Sequence, residues 1–132
     1  APSRGLGDVY KEVLDETTTK AKLSPRLRMN WNLHESFEGS VQRMFNAIES
    51  GSKIPIARHP NLSETLIILR GRLRVLINEL IDNVVLNPRT ENIGYHIPKG
   101  GVASGESLEE GTILFETREG PYAPVAEHDI MK

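Results

Sequence analysis

Residues Gly51 to Gly71 read GSKIPIARHPNLSETLIILRG. His59 and Glu64 are the side chains there that could ligate a metal or exchange a proton, and the turn PNLS separates them. In an extended strand, residues two apart face the same side. Positions 57 and 59 are therefore expected to face one interior, with Glu64, at the start of the next strand, pointing back at them. An imidazole and a carboxylate with open coordination positions suit a facial metal site. Position 57, however, is alanine. Further on, IPKGGVASG sets Pro98 and Gly100 in a turn, with Ala103 three residues after the glycine.

Other polar residues stand within strand-like runs. Arg43, Asn46 and Glu116 could line a pocket and orient a polar ligand, or form an outer face with ordinary salt bridges. His34, in NLHES, is a candidate for the mouth of the pocket and for ligand binding together with Arg43. If Ile97 faces inward, period-two alternation turns its neighbour His96 outward. His128 falls in the tail and is expected to be solvated. The RLR cluster at Arg26 to Arg28, with Arg70, Arg72 and Arg74, could contact an acidic ligand; alternating charges of this kind more often form a solvated face.

These side chains must be held by a chain of 132 residues, long enough for one core. Hydrophobic residues make up 38% and charged residues 26%, as in an ordinary globular domain. A net charge of -2 gives no electrostatic footprint for a nucleic acid. The absence of cysteine excludes disulfides, thiolate zinc sites and cysteine nucleophiles, and a cytoplasmic location is the default expectation. No apolar run approaches the roughly 20 residues of a membrane helix. Residues 1–7 read as a flexible tail, and residues 8–132 as a single domain.

A helix is expected over residues 8–23. Val9, Val13, Leu14, Tyr10 and Ala21 recur at three- and four-residue spacing, Asp8 is a candidate N-cap, and Ser24-Pro25 is a stop. Beyond it, VQRMFNAI, KIPIARH, ETLIILR, RLRVLINEL, NVVL, IGYHIP and GTILFETR alternate with turn residues. Six or seven short strands of this kind predict an all-β sandwich or barrel. The alternative from pattern alone is α+β, with VQRMFNAIES as a helical turn. The run TLIILRGRLRVLI is apolar enough to need cover from the helix or from a partner subunit.

On these residues the chain resembles the cupin superfamily. Gly51, His59, Glu64 and Gly71 match its first motif, G-x5-H-x-H-x4-E-x6-G, and Pro98 and Gly100 match its second, built on P-x-G-x2-H. It is similar in particular to the small WbuC-type cupin-fold metalloproteins, with SPR at 24–26, NLHES at 32–36, QRM at 42–44, Asn46-Ala47, Glu64-Thr65, LRG at 69–71, IPKG at 97–100, Gly111-Thr112, and EGPY at 119–122 followed by Pro124. The resemblance runs from about Leu14 to the end. It implies an all-β fold, a small cupin-type β-barrel or jelly roll with an N-terminal α-helix. It also implies a divalent transition metal (Zn, Fe, Mn or Ni) and a homodimer.

The departures fall on the implied ligands. Alanine stands at 57 and at 103 where the resemblance implies histidine, so only His59 and Glu64 survive as a residual metal pair. Catalytic zinc sites use three protein ligands, and non-haem iron sites two histidines and a carboxylate. Weak or absent metal binding is therefore expected. The leading expectation is a barrel with a degenerate metal site that binds a small polar, sugar-like ligand. The alternatives are a metal-dependent cupin enzyme acting on a sugar or small metabolite, and a structural dimer module.

Overall fold

The computed structural model describes residues 10–34, 36–54, 57–77, 82–124 and 127–130. It opens with helix α1, Lys11–Leu23. Leu14, Thr17 and Ala21 recur at three- and four-residue spacing and form its buried stripe. Glu12 in the first turn and Lys20 and Lys22 in the last complement the helix dipole. The chain leaves at Ser24, which is extended as a residue before proline should be. The helix starts later than its sequence pattern suggests. Its N-cap is Tyr10, which makes no side-chain capping bond. Asp8 and the tail at 1–7 lie outside the described residues.

Nine strands follow among the described residues: β1 Arg28–Asn32, β2 Val41–Ile48, β3 Ala57–Arg58, β4 Glu64–Arg70, β5 Leu73–Ile77, β6 Asp82–Leu86, β7 Gly94–Ile97, β8 Val102–Ser107 and β9 Ile113–Glu119. They form two sheets, ordered β1-β2-β9-β4-β7 and β3-β8-β5-β6, and every pairing is antiparallel. VQRMFNAI is strand β2, so the α+β alternative fails there. Two strands went unrecognised in the sequence, β1 and β8. The second reads VASGES, a composition poor in strand formers. It is a strand because β5 and β3 flank it and complete its hydrogen bonds from both sides.

Alternation divides the molecule into two cores. Ile48, Leu66, Ile68, Leu73, Val75, Leu86, Ile97 and Leu114 meet between the two sheets. Phe45, Ala47 and Ile113, on the other face of the larger sheet, pack beneath Leu14 and Ala21 of α1. Leu69 joins that second cluster, and Arg70 bonds Asp15 at 2.6 Å, so the helix covers the end of β4. No described helix is long and apolar enough to cross a membrane.

Where β4 passes to β5, Gly71 has φ of 72°, and a Cβ there would collide with Thr112. That left-handed corner carries the chain from one sheet to the other, and only glycine fits it without strain.

Candidate functional site

A cavity of about 330 Å³ opens between the sheets. Register shows how the strands build its wall, since directly opposed residues share a face. Gln42, Arg118, Glu64 and Ile97 form one row across β2, β9, β4 and β7. The next row is Met44, Glu116, Leu66 and Tyr95. On the facing sheet, Ala57 of β3 lies directly opposite Ala103 of β8, which in turn lies opposite Ile77 of β5. Ala57, Ala103, His59 and Glu64 all line the one cavity. The structure thus brings together the four positions that the sequence spacing singled out.

His59 Nε2 stands 3.6 Å from Glu64 Oε1, close but beyond a hydrogen bond. Burial pushes His59 below the ordinary imidazole value, with Arg118 adding to the shift, while Glu116 and Asp129 oppose it. Burial pushes Glu64 above the usual carboxylate range, against the pull of Arg118. Both shifts run toward the neutral form, the direction in which burial drives an ionisable group. Glu116 is pushed up to about 7, first by burial and then by Glu64, with Arg118, Asn46 and His59 opposing. Asn46 Nδ2 donates to Glu116 Oε1 at 2.9 Å and orients that carboxyl.

The donor set fits a tightly held transition metal poorly. Two of the four implied positions present methyl groups, and the described residues contain no group of three or more His, Asp or Glu arranged to hold an ion. What remains is a mixed wall. Glu64, Glu116, His59, Asn46, Arg118 and Arg28, together with Ser104, are its polar members, set among Ile, Leu and Ala side chains. Convergent polar groups on an apolar wall, in a volume of this size, are typical of small-molecule sites. Glu64 and Arg118 also border a shallower recess of about 210 Å³ on their other side, shared with Ser63, Thr65 and Glu119.

Two expected ligand-binding residues stand elsewhere. Arg43 is exposed on β2 and does not line the cavity. The cause is parity: Met44, Asn46 and Ile48 face the barrel, so Arg43 shares the outer face with Phe45. His34 is also absent from the lining. Its Nδ1 sits 3.0 Å from Arg43 O and 3.2 Å from Arg43 N, and its ring packs on Phe37. It therefore ties the β1–β2 connection to the backbone of β2. Asn46 and Glu116, by the same parity, do line the cavity. His96 is exposed beside the buried Ile97, as alternation requires, and bonds Thr65. His128 is exposed, near Asp129.

Arg118 is the wall residue that the sequence did not single out. Its signal was the register: once β9 is paired with β4, the position opposite Glu64 must share its face. Arg70, Arg72 and Arg74 are each paired with a carboxylate, Asp15, Glu109 and Glu106 respectively, in keeping with a solvated face.

A sequence family described as Domain of unknown function (DUF6016) matches residues 9–86. No curated protein matches the chain by sequence. Among solved structures, the cupin domain of Schizosaccharomyces pombe Cnp3 is similar, at 16% identity and a TM-score of 0.58 over 70% of this chain. KdgF from Halomonas sp. superposes over 76% of this chain and 85% of its own, at 11% identity and a TM-score of 0.60. Salicylate 1,2-dioxygenase from Pseudaminobacter salicylatoxidans covers 83% of this chain at 14% identity and a TM-score of 0.63. The chain spans 64% of the Cnp3 chain and 34% of the dioxygenase chain. At these identities the likeness is one of fold: the protein is a small cupin-type β-barrel with an N-terminal helix.

Proposed function

The chain belongs to the family described as Domain of unknown function (DUF6016), and we propose that within it this barrel binds a small polar, sugar-like molecule in its cavity without a tightly held metal. The observation that carries the reading is the pairing of Ala57 with Ala103, side by side on one sheet of the cavity that His59 and Glu64 also line. If positions 57, 59, 64 and 103 are the ligand positions of a WbuC-type cupin, two of the four have become methyl groups. The space they leave is available to a ligand, and the remaining polar groups suit hydroxyls. Glu116 and Glu64, when protonated, both donate and accept hydrogen bonds, and Asn46 does so at any pH.

Metal analysis of the purified protein tests this reading against a metal-dependent enzyme acting on a sugar or small metabolite. The expected content is far below one transition-metal ion per chain. A tightly bound, near-stoichiometric metal overturns the reading. The double substitution Ala57→His and Ala103→His sharpens the test, because it should restore a four-ligand set and raise uptake of zinc or nickel by orders of magnitude. Failure of that variant to take up metal, in a protein that still folds, would show that these four positions do not make a metal site.

A further inference from the structure

The cavity is electrically lopsided along its length. Arg28 lies opposite Ile48 of β2, whereas Arg118 lies opposite Gln42. Positions 48 and 42 are six residues apart, or about 20 Å along a strand. Between them the inner face of β2 passes Asn46 and then Met44, which is opposite Glu116. The carboxyls of Glu64 and Glu116 both lie within electrostatic reach of Arg118, so one end of the cavity gathers the acidic groups.

Arg28, at the other end, has none. Arginines elsewhere in the two sheets and their turns, at 58, 70, 72 and 74, each pair with a carboxylate. No carboxylate among the described residues pairs with Arg28, and the charge acting on it is the like charge of Arg26. Burial disfavours its charged form. Its Nη1 donates to Lys53 O at 3.2 Å, which orients the guanidinium and leaves its other donors without a partner among the described residues. A part-buried guanidinium at the end of a cavity, oriented by one backbone carbonyl and facing no carboxylate among the described residues, is placed to pair with an arriving anion. Its planar fork matches an oxyanion in two-point contact.

We propose that Arg28 receives an oxyanion, a carboxylate or a phosphate monoester, carried by the ligand of this cavity, so that the ligand is a polyhydroxylated acid rather than a neutral sugar. This rests on the reading of the barrel as a binder of small polar molecules and adds its charge. In this arrangement the ligand's anionic group meets Arg28, and its hydroxyls run along Asn46, Glu116 and Glu64.

The test is titration calorimetry with three chemically matched probes: D-sorbitol, D-gluconate and D-glucose 6-phosphate. One or both acids should bind at least about tenfold more tightly than sorbitol, the worth of one charge-assisted hydrogen bond, and the preference should shrink with added salt. Which acid wins identifies the anion. Arg28→Gln should abolish the preference, bringing both acids down to the affinity of sorbitol for the same variant, and Arg28→Lys should keep part of it. Both variants are checked for wild-type thermal unfolding, and the lysine variant carries the test if the glutamine variant does not fold. Equal binding of all three probes, or a preference that survives Arg28→Gln, overturns the assignment and leaves the binding reading standing. No binding by any of the three overturns both.

Discussion

Strands β2 and β9 present two unlike faces. On the outer face Phe45, Ala47 and Ile113 are fully buried under α1. Tyr10 and Trp31 extend the packing, with ring centroids 5.6 and 6.1 Å from that of Phe45. One residue along, on the inner face, Asn46, Glu116 and Arg118 border a hollow. The same backbone thus carries a dry layer that stabilises the fold and a polar layer that costs stability. Sequences that agree with their fold at every level tend to break that agreement at functional sites. Here the break is confined to alternate residues of strands whose opposite face is packed beneath the helix at Phe45, Ala47 and Ile113.

The sharpest way to break the comparison is on the packed side. Phe45→Ala removes the ring around which Tyr10, Trp31 and Phe115 gather. It should cost about 3–5 kcal/mol of unfolding free energy, read by urea denaturation. A loss below about 1 kcal/mol would mean that the helix does not dock as described.

The hollow side should respond with the opposite sign. Glu116 has its folded value raised from 4.5 to about 7. A carboxyl raised in this way contributes most below its unfolded value, and that contribution is lost as pH rises through 7. Glu116→Gln keeps the bond with Asn46 and removes the charge. It should therefore stabilise the protein near pH 8, by roughly 1–2 kcal/mol once the shift is discounted for water in the cavity, and change little near pH 5. His59 works the other way: its lowered value makes the fold lose stability as pH falls below 6.5. The difference between variant and wild type, measured by thermal unfolding across this range, isolates Glu116. A variant less stable than wild type at pH 8 would show that the carboxylate is needed in its ionised form.

Much of this division was legible in the sequence, and for physical reasons. ETLIILR and VQRMFNAI, each bounded by turn residues, coincide with β4 and β2 to the residue, although the second could also be read as a helical turn. The spacing around His59 and Glu64 placed both in one interior because strand parity is local. What was lost needed long-range pairing. VASGES has no strand composition of its own and is held by its neighbours. Arg43 and Asn46 sit on one strand with opposite faces, and nothing local says which face is the barrel's when both are apolar-rich. Arg118 joined the site only through register with β4, and register with β2 is what puts Arg28, named with the basic cluster at 26–28, on its wall.

The smallest effect belongs where the helix meets solvent. Arg70 Nη1 bonds Asp15 Oδ1 at 2.6 Å, and Lys11 reaches the other oxygen at 3.3 Å. Arg70, and then Lys11, hold the Asp15 carboxyl below its ordinary value. Its contribution is therefore present at neutral pH and is lost as pH falls through the folded value. Both partners touch solvent, so the pair is screened, and exposed pairs of this kind contribute little. Arg70→Ala should leave the neutral-pH unfolding midpoint nearly where it was and steepen no transition, since Lys11 remains to pair with Asp15. Any loss it does cause should persist in high salt only if it comes from the arginine stem packed at the end of β4 rather than from its charge. A large, salt-insensitive loss would move Arg70 from the solvated rim into the packed layer and redraw the boundary between the two faces.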